Sequence, residues 1–418
     1  MPKTLFFRNL QQEVSRIDAA KVSKRFERVI EGYTDDRFPK AVIAGKQYSI
    51  FNSNDYLGLR HDKTLKKAEH QASMQFGTGP GAVRFISGSL SIHRDLEKAL
   101  AKFHGRDDAM VFSSAFAANM AVIFSLAKGQ SKDSLISNNT LVISDELNHR
   151  SIIDGIRIAG LSSEQKQVFP HLKPAAVANL LKQNAGKFDR VLIVTDGVFS
   201  MLGELQDLKT LASVCAEHDE LYEQGVLLIV DDAHGVAACG ETGRGTEEVT
   251  SARADVLVGT LGKGFGADGG YVVGDQIVID YLREAAATYI YSNSISPGTA
   301  GAALTAVQLV DGAEGKKLLK HMRSLIAHFK EAIQSAGFTL AADSHHPIQP
   351  ILIADPVKSQ AFMQSMYDHG FIVTSINYPV VPKGKDEIRV QLNAQQTIED
   401  IDNFITTAKK VAAEIGIV

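Results

Sequence analysis

The sequence predicts an α/β protein in which a mostly parallel seven-stranded sheet lies between layers of helices, followed by a smaller α+β domain. From about residue 109 to 275, short apolar runs alternate with helical patterns, and repeated strand–helix–strand units form parallel sheets. The run Val226–Val230 has no polar member, which is typical of a strand covered on both faces. After about residue 296, long helical patterns precede short strands, so a second architecture begins there.

The chain before the sheet is predicted to be irregular and helical. Residues 1–45 are polar with a helical pattern, and the turn-rich stretch Phe51–Leu59 leads into a helix near 63–75. Gly77–Gly81 holds too many helix breakers for a regular element, and a further helix is expected over 94–104. We therefore predict three parts: an N-terminal segment (1–60), a large α/β domain (61–295) and a C-terminal α+β domain (296–418).

The elements of the large domain follow from the alternation of apolar runs and helical patterns. The predicted strands are Ala109–Ser113, Leu141–Ser144, Gln167–Phe169, Val191–Thr195, Val226–Val230, Val256–Gly259 and Gly270–Val273. The predicted helices between them are Ala117–Ala127, Ser151–Ile158, Ala175–Gln183 and Leu208–His218.

The C-terminal domain is predicted to begin with long helices over 297–336. Strands are expected at Ile348–Ile353, Ile372–Ile376 and Ile388–Leu392, with helices at 357–368 and 397–414.

Composition restricts the class of protein. The 418 residues carry a formal net charge of −4 and no long run of one sign, which argues against a nucleic-acid-binding surface. Two cysteines are too few for a disulfide framework or a structural zinc site. The sequence has no signal-peptide pattern and no membrane-length apolar stretch, so we expect a cytoplasmic protein without a membrane span.

One lysine lies in a context suited to chemistry. Val256–Gly259 runs into a glycine-rich turn that carries Lys263, with Thr260 three residues earlier. In an α/β sheet, ligands bind beyond the carboxyl ends of the strands. A desolvated lysine amine in such a place is a nucleophile for carbonyl groups, although most lysines are solvated surface charges.

Polar residues follow four other predicted strands. Ser113–Phe116 passes directly into a helix, whose first amides suit a phosphate unless Ser114 is simply a helix cap. His149 follows the second strand and could stack on a planar cofactor, take part in proton transfer, or be structural. Thr195–Ser200 taken alone is only a turn. Asp231-Asp232-Ala233-His234 follows the fifth strand, where a carboxylate can pair with a buried cation such as a protonated pyridine nitrogen.

Other ligands receive less support. No second Asp/Glu/His cluster has ligand spacing, so we expect no metal. Gly77-x-Gly79-x-Gly81 lacks the dinucleotide spacing, and the turn around Lys263 lacks the Ser or Thr that a P-loop needs after its lysine.

Taken together, these stretches resemble the α-oxoamine synthases, pyridoxal 5'-phosphate (PLP) enzymes of the fold-type I, aspartate aminotransferase-like superfamily. The matching segments span most of the chain in the family's order: Ser53–Leu59, Ser87–His93, Ser144–Ile153, Thr195–Met201, Val230–Gly235, Gly259–Gly266 and Ser292–Pro297. The family joins an amino acid to an acyl-CoA and releases CoA. Val83–Ile86, Leu147–Gly155 and Thr195–Met201 are most similar to the glycine C-acetyltransferases, which implies glycine and acetyl-CoA as substrates.

The resemblance also implies roles for individual residues. Lys263 would form the Schiff base with PLP, and Asp231 would pair with the pyridinium nitrogen. His149 would stack on the ring. His234 and Ser200 would contact the phenolic oxygen. The phosphate would be held by the backbone of Ala115 and Phe116, by Thr260, and by Ser292 of the partner subunit. The substrate carboxylate would be held by Asn54 and Arg389.

The resemblance thus implies a homodimer with shared active sites, in which Lys263 also removes the α-proton of the amino acid. Three alternatives stay open. A longer acyl chain or another amino acid would give an aminooxononanoate, aminolevulinate or sphingoid-base synthase. A simple aminotransferase would need no CoA, and a non-catalytic binding protein would need no lysine. The segment Gly77–Ala82 and Ala115 depart from the glycine C-acetyltransferase pattern.

Overall fold

The computed structural model describes residues 2–19, 23–378 and 380–417. Its N-terminal elements are α1 (Pro2–Ala19), β1 (Gly32–Tyr33), β2 (Ala41–Ile43) and β3 (Lys46–Ile50). The helical pattern expected through residue 45 is therefore wrong after α1, because 32–43 contribute two strands. Alternate residues of β2 and β3 bury their side chains in a small core with Ile372, and this packing favours strands over a continued helix.

The large α/β region contains the elements that the sequence predicts, within a few residues at each end. In chain order they are α2 (Lys63–Phe76), α3 (Ser91–His104), β4 (Asp108–Phe112), α4 (Ala115–Ala127), β5 (Thr140–Asp145), α5 (Arg150–Ile158), β6 (Lys166–Phe169), α6 (Pro174–Asn184), β7 (Arg190–Asp196), β8 (Val198–Phe199), β9 (Glu204–Leu205), α7 (Leu208–His218), β10 (Val226–Asp231), α8 (Thr246–Thr250), β11 (Val256–Thr260), β12 (Gly270–Gly274), α9 (Gln276–Ala285) and α10 (Ala287–Ile290).

The central sheet has seven strands in the order β4-β12-β11-β10-β7-β5-β6. Strand β12 runs antiparallel to both of its neighbours, and the other strand pairs are parallel. Two apolar cores cover its faces, one including residues of α4, α5 and α9, the other residues of α6 and α7. The predicted mostly parallel, seven-stranded sheet is confirmed.

The C-terminal part begins with two long helices and continues as an α+β unit. Its elements are α11 (Pro297–Asp311), α12 (Ala313–Ser335), β13 (Ile348–Leu352), α13 (Pro356–Asp368), β14 (Phe371–Ile372), β15 (Thr374–Ile376), β16 (Glu387–Gln391) and α14 (Ile398–Ile415). The predicted strand 372–376 is divided: β15 pairs with β16, whereas β14 pairs with β3 of the N-terminal segment. The predicted domain boundaries after residues 60 and 295 stay predictions.

No helix in the described parts of the chain combines the length and apolar character needed to cross a membrane.

Candidate active site

A cavity of about 190 Å³ lies where the parallel strands of the central sheet end. The loops after β5, β7, β10 and β11 all reach this edge, because the carboxyl ends of parallel strands lie together. Its lining residues are Ala115, Phe116, Asn119, His149, Ser151, Asp196, Val198, Ser200, Asp231, Ala233, His234, Thr260 and Lys263. The structure thus brings together every residue expected at the cofactor within one subunit.

Lys263 lies on the turn after β11 and lines the cavity. Gly266 has φ +68° and packs so closely on Leu59 and Arg60 that a Cβ would lie 2.4 Å from the Arg60 amide nitrogen. A side chain at that position would displace the turn. Burial lowers the pKa of Lys263 to about 8, although the carboxylates of Asp231 and Asp196 act in the opposite direction. About a tenth of the amine is therefore unprotonated at pH 7, far more than for a lysine with the ordinary pKa.

Asp231, at the end of β10, is buried and held by two donors. The Asn119 amide donates to Oδ2 at 2.5 Å, and the Ala233 backbone N–H donates to Oδ1 at 2.9 Å. These contacts fix the carboxylate in one orientation at the cavity wall.

Asn119 also belongs to a longer polar chain. Its amide donates to Ser151 Oγ at 2.9 Å, and Ser151 Oγ lies 2.8 Å from Nδ1 of His149. A continuous set of hydrogen bonds therefore joins Asp231 to His149. His149 is exposed and lines the cavity, which leaves it accessible to a planar ligand.

Asp196, at the end of β7, is a buried acid close to Lys263. It accepts a hydrogen bond from the His149 backbone N–H at 2.9 Å. Burial, together with the neighbouring charge of Asp231, raises the pKa of Asp196 well above its ordinary value. The stretch Thr195–Ser200, which read as a turn in the sequence, thus contributes an acid to the site.

Helix α4 begins at the cavity. Ser114 is its N-cap and accepts from the Ala117 N–H at 3.1 Å, so the serine does cap the helix, although this cap occupies only the Ala117 amide. The amides of Ala115 and Phe116 are among the first-turn donors that have no intrahelical acceptor. Gly270 allows β12 to approach this helix start, since a Cβ there would lie 2.1 Å from the Ala115 nitrogen.

Thr260 and Ser292, which are also expected at the phosphate, lie outside α4. The hydroxyl of Thr260 donates to the Gly269 carbonyl at 3.0 Å and accepts from the Gly262 N–H at 3.2 Å, so a ligand contact would add to or replace these bonds. Ser292 lies on the segment between α10 and α11, outside the lining of its own chain's cavity.

His234 is fixed from two sides next to the lysine. Its Nδ1 lies 2.7 Å from the hydroxyl of Tyr56, and its carbonyl accepts from His346 Nε2 at 2.8 Å. Burial and the cations of Lys263 and Arg389 hold the pKa of His234 well below its ordinary value.

The two residues expected to bind the substrate carboxylate lie together beside this group. Arg389 on β16 donates from Nη2 to Asn54 Oδ1 at 3.3 Å. Arg389 is half-buried, and its Nε has no hydrogen-bond partner among the described residues. Part of its fork is therefore free for an anion.

Sequence reasoning missed Asn119, Ser151, Asp196 and Tyr56. Asn119 had a detectable signal, since it is a polar residue in the strongly apolar segment Ala115–Ala127. Asp196 and Tyr56 needed the fold, because their partners are distant in sequence. Ser151 is two positions from His149, but its link to Asn119 also needed the fold. Asp232 follows Asp231 in the sequence, but its carboxylate accepts hydrogen bonds from the Thr246 backbone N–H and hydroxyl, at 2.7 and 2.5 Å.

The described residues contain no group of His, Cys, Asp and Glu that could hold a metal ion.

The donor set fits PLP. The cavity offers an amine of lowered pKa, a carboxylate held in place on one wall, an imidazole exposed towards it and a helix start with free amides. These match an aldehyde, a pyridine nitrogen, an aromatic ring and a phosphate.

Comparisons with known proteins agree with this geometry. The model of class I and II aminotransferases matches residues 46–407. The 8-amino-7-oxononanoate synthase of Treponema denticola is 36% identical over 411 residues, which is 98% of both chains. That of Petrotoga mobilis is 37% identical over 382 residues, covering 90% of this chain and 91% of the relative.

Solved structures give the same result. Sphingomonas wittichii serine palmitoyltransferase superimposes with a TM-score of 0.87 at 25% identity, over 99% of this chain and 98% of that one. A structure of SPT with a PLP internal aldimine has the same TM-score at 26% identity and the same coverage.

The fold and the site define a PLP-dependent transferase of fold type I. More narrowly, the near-complete match to oxononanoate synthases and to serine palmitoyltransferase identifies the family. The chain belongs to the α-oxoamine synthases.

Proposed function

We propose that this α-oxoamine synthase produces 8-amino-7-oxononanoate. The observation that carries the proposal is the 36–37% identity, over 90% or more of the chain, to synthases named for that product. The comparisons do not confirm glycine and acetyl-CoA. They favour the alternative that the sequence left open, a longer acyl chain or a different amino acid.

The carbon skeleton of the product indicates which two substrates supply its atoms. An amino group on C8 of a nine-carbon acid leaves C9 as a methyl group, so the amino carbon and its methyl come from alanine. C1 to C7, with the ketone at C7, come from the thioester of a seven-carbon dicarboxylic acid. Three carbons and seven carbons give nine when alanine loses its carboxylate as CO2, and CoA leaves as the thiol.

Arg389 and Asn54 are assigned to the carboxylate of the amino acid. Arg389 has a half-buried guanidinium whose Nε has no partner among the described residues, and Asn54 orients its Nη2 from 3.3 Å away. A carboxylate that bound this fork would be held bidentately. That contact would direct the α-carbon towards the cavity that contains Lys263.

Lys263 is assigned two tasks. Its amine, with a pKa of about 8, is nucleophilic enough at neutral pH to bind the PLP aldehyde. Once the amino acid has taken its place, the same amine is a base of suitable strength for the α-proton. When bound, PLP supplies an electron sink that makes this proton removable.

The surrounding residues hold the ring and its charges. Asp231, fixed by Asn119 and Ala233, would keep the pyridine nitrogen protonated. His149 would cover one face, and His234 and Ser200 would contact the phenolic oxygen. The phosphate would bind the amides of Ala115 and Phe116 together with Thr260.

We also propose that the enzyme works as a homodimer. Ser292 lies outside the cavity of its own chain, so a contact with the phosphate is assigned to Ser292 of the partner subunit. Sedimentation of the PLP-loaded protein should give twice the mass of 45.2 kDa, and a monomer with full activity would exclude shared sites.

A second candidate, the condensation of serine with a long-chain acyl-CoA, is supported by the TM-score of 0.87 to serine palmitoyltransferase at nearly full coverage. The lower sequence identity, 25% against 36–37%, places it second.

The test is CoA release from acyl-CoA substrates with glycine, alanine and serine. We expect the highest kcat/KM with alanine and the seven-carbon dicarboxylic thioester. A preference for serine with a sixteen-carbon chain would favour the second candidate, and one for glycine with acetyl-CoA would restore the original expectation. Conversion of a keto acid without CoA would identify an aminotransferase, and a PLP-loaded protein inert to every pair would favour a binding protein.

A further inference from the structure

Tyr56 and His234 form a buried pair beside the cavity. Tyr56 belongs to the turn-rich stretch after β3, is fully buried, and has its hydroxyl 2.7 Å from His234 Nδ1. His234 lines the cavity, whereas Tyr56 does not. The short contact to His234 therefore links Tyr56 to the cavity wall.

The protonation states of both groups follow from their surroundings. Burial raises the pKa of Tyr56 above its ordinary value, so the phenol keeps its proton. Burial and nearby cations lower the pKa of His234, so the imidazole is neutral and has a hydrogen on one nitrogen only.

The direction of the hydrogen bond follows from the available acceptors. The Tyr56 hydroxyl has one hydrogen and two acceptors within reach, His234 Nδ1 at 2.7 Å and Asn54 Oδ1 at 3.4 Å. The second distance is beyond the usual range for an O–H donor, and Asn54 Oδ1 already accepts from Arg389. The hydroxyl therefore donates to Nδ1, and the imidazole hydrogen is on Nε2.

His346 contacts both members of the Tyr56–His234 pair. Its Nδ1 accepts from the Ile348 N–H at 3.1 Å, so its own hydrogen is on Nε2, which donates to the His234 carbonyl at 2.8 Å. Its ring packs edge-on against Tyr56 with a centroid distance of 4.8 Å. Both the backbone and the ring of His234 are thus fixed.

We propose that Tyr56 is a positioning residue, whose hydroxyl keeps the hydrogen of His234 on Nε2 so that this nitrogen is a donor towards the cavity. The proposal rests on the proposed function, in which His234 contacts the phenolic oxygen of PLP. A donor at that oxygen stabilises negative charge there. In the other tautomer, Nε2 would present a lone pair to the oxygen and repel it.

The chain offers a matched control. Tyr271 is also fully buried, and its hydroxyl lies 2.9 Å from Nε2 of the buried His104, outside the cavity lining. Tyr271→Phe removes a tyrosine–histidine hydrogen bond of the same kind without touching the site. Comparison with Tyr56→Phe separates a general loss of stability from loss of the tautomer.

The experiment uses PLP-loaded protein with ¹⁵N-labelled histidine rings. The His234 signals are assigned by their loss in His234→Gln. We expect Nε2 to carry the hydrogen in the wild-type protein, and Tyr56→Phe to give a tautomer mixture with a shifted visible spectrum of the bound cofactor. The variant's kcat should fall by about tenfold or more, with the KM for the amino acid within about threefold, and Tyr271→Phe should change none of these.

Two results overturn the proposal: a hydrogen on Nδ1 of His234 in the wild-type protein, or a Tyr56→Phe protein with unchanged tautomer and kcat. The first needs no Tyr56 variant, so it decides the matter even if Tyr56→Phe does not fold. A wild-type protein that binds PLP but releases no CoA from any substrate pair would instead contradict the proposed function, and the ¹⁵N signals would still report the tautomer.

Discussion

Arg389 Nη2 lies 3.3 Å from Asn54 Oδ1, although 335 positions separate the two residues along the chain. The contact joins the turn after β3 to β16, and the backbone supports it nearby, because Gln391 N donates to the Phe51 carbonyl at 2.7 Å. The proposed substrate-carboxylate site is therefore built from both ends of the chain around the PLP cavity.

The first prediction concerns Arg389. Arg389→Lys keeps the positive charge but loses the fork that binds a carboxylate at two points. We expect the KM for the amino acid to rise by about tenfold or more, with a smaller change in KM for the acyl-CoA. Arg157→Lys, at an exposed position on α5, is the control. Equal increases in both KM values would contradict the assignment.

The second prediction concerns Asn119. Asn119→Ala leaves Asp231 Oδ2 without its side-chain donor and breaks the hydrogen-bonded chain to His149. We expect weaker PLP binding and a fall in kcat of about tenfold, measured by cofactor titration and steady-state rates. Asn184→Ala removes a buried amide far from the cavity. If both variants lose PLP affinity equally, Asn119 has no special role.

The third prediction concerns Glu387, on the same face of β16 as Arg389. Both carboxylate oxygens are buried without a partner among the described residues, and burial raises the pKa to about 8 from 4.5. The folded state therefore holds a proton between pH 4.5 and 8 that the unfolded chain has lost, so stability falls as the pH rises through this window. Removing the ionisable group should relieve a loss on the order of 5 kcal/mol at pH 8.5.

Thermal unfolding of Glu387→Gln at pH 5.5 and pH 8.5 checks this. We expect the variant's Tm to fall less than the wild-type Tm between the two pH values, while Glu314→Gln, at an exposed position, follows the wild type. Parallel curves for Glu387→Gln and wild type would show that this carboxyl does not titrate there.

The fourth prediction concerns His171, whose Nδ1 and Nε2 lie 3.0 Å from Asp145 and 3.3 Å from Glu204. Burial opposes the charge, but the two carboxylates outweigh it and raise the pKa of His171 to about 9. The charged His171 therefore stabilises the fold fully below about pH 6.5, and this stabilisation is lost as the pH rises through 9. The Tm deficit of His171→Asn should be largest near pH 6 and shrink by pH 9.5; a deficit independent of pH would mean that the ion pairs contribute nothing.

Much of this architecture was predictable because the signals are local. Val226–Val230 reads as a doubly covered strand, and the turn around Lys263 reads as a reactive position, from a few adjacent residues. The strands at 32–43 were missed because they are only two and three residues long, too short for a periodic pattern, and their core is completed by the distant Ile372. The division of 372–376 between two sheets depends on β3, more than 300 residues earlier, which no local pattern reports.

The candidate site was likewise predictable only where its residues give a local signal in the sequence. Lys263, Asp231, His234 and His149 follow strand ends, which a parallel sheet gathers at one edge. Tyr56 and Asn119 act through side chains that approach from a distant turn and a helix, so only the folded chain reveals their partners.

The most direct test of the whole account is borohydride reduction of the PLP-loaded protein, followed by proteolysis and mass spectrometry. Reduction makes the bond between the cofactor and its lysine permanent. We predict that the cofactor's mass is found on Lys263, and that a Lys263→Ala protein loses both the visible absorbance and CoA release. Modification of a different lysine, or turnover at the wild-type rate in Lys263→Ala, would contradict the account.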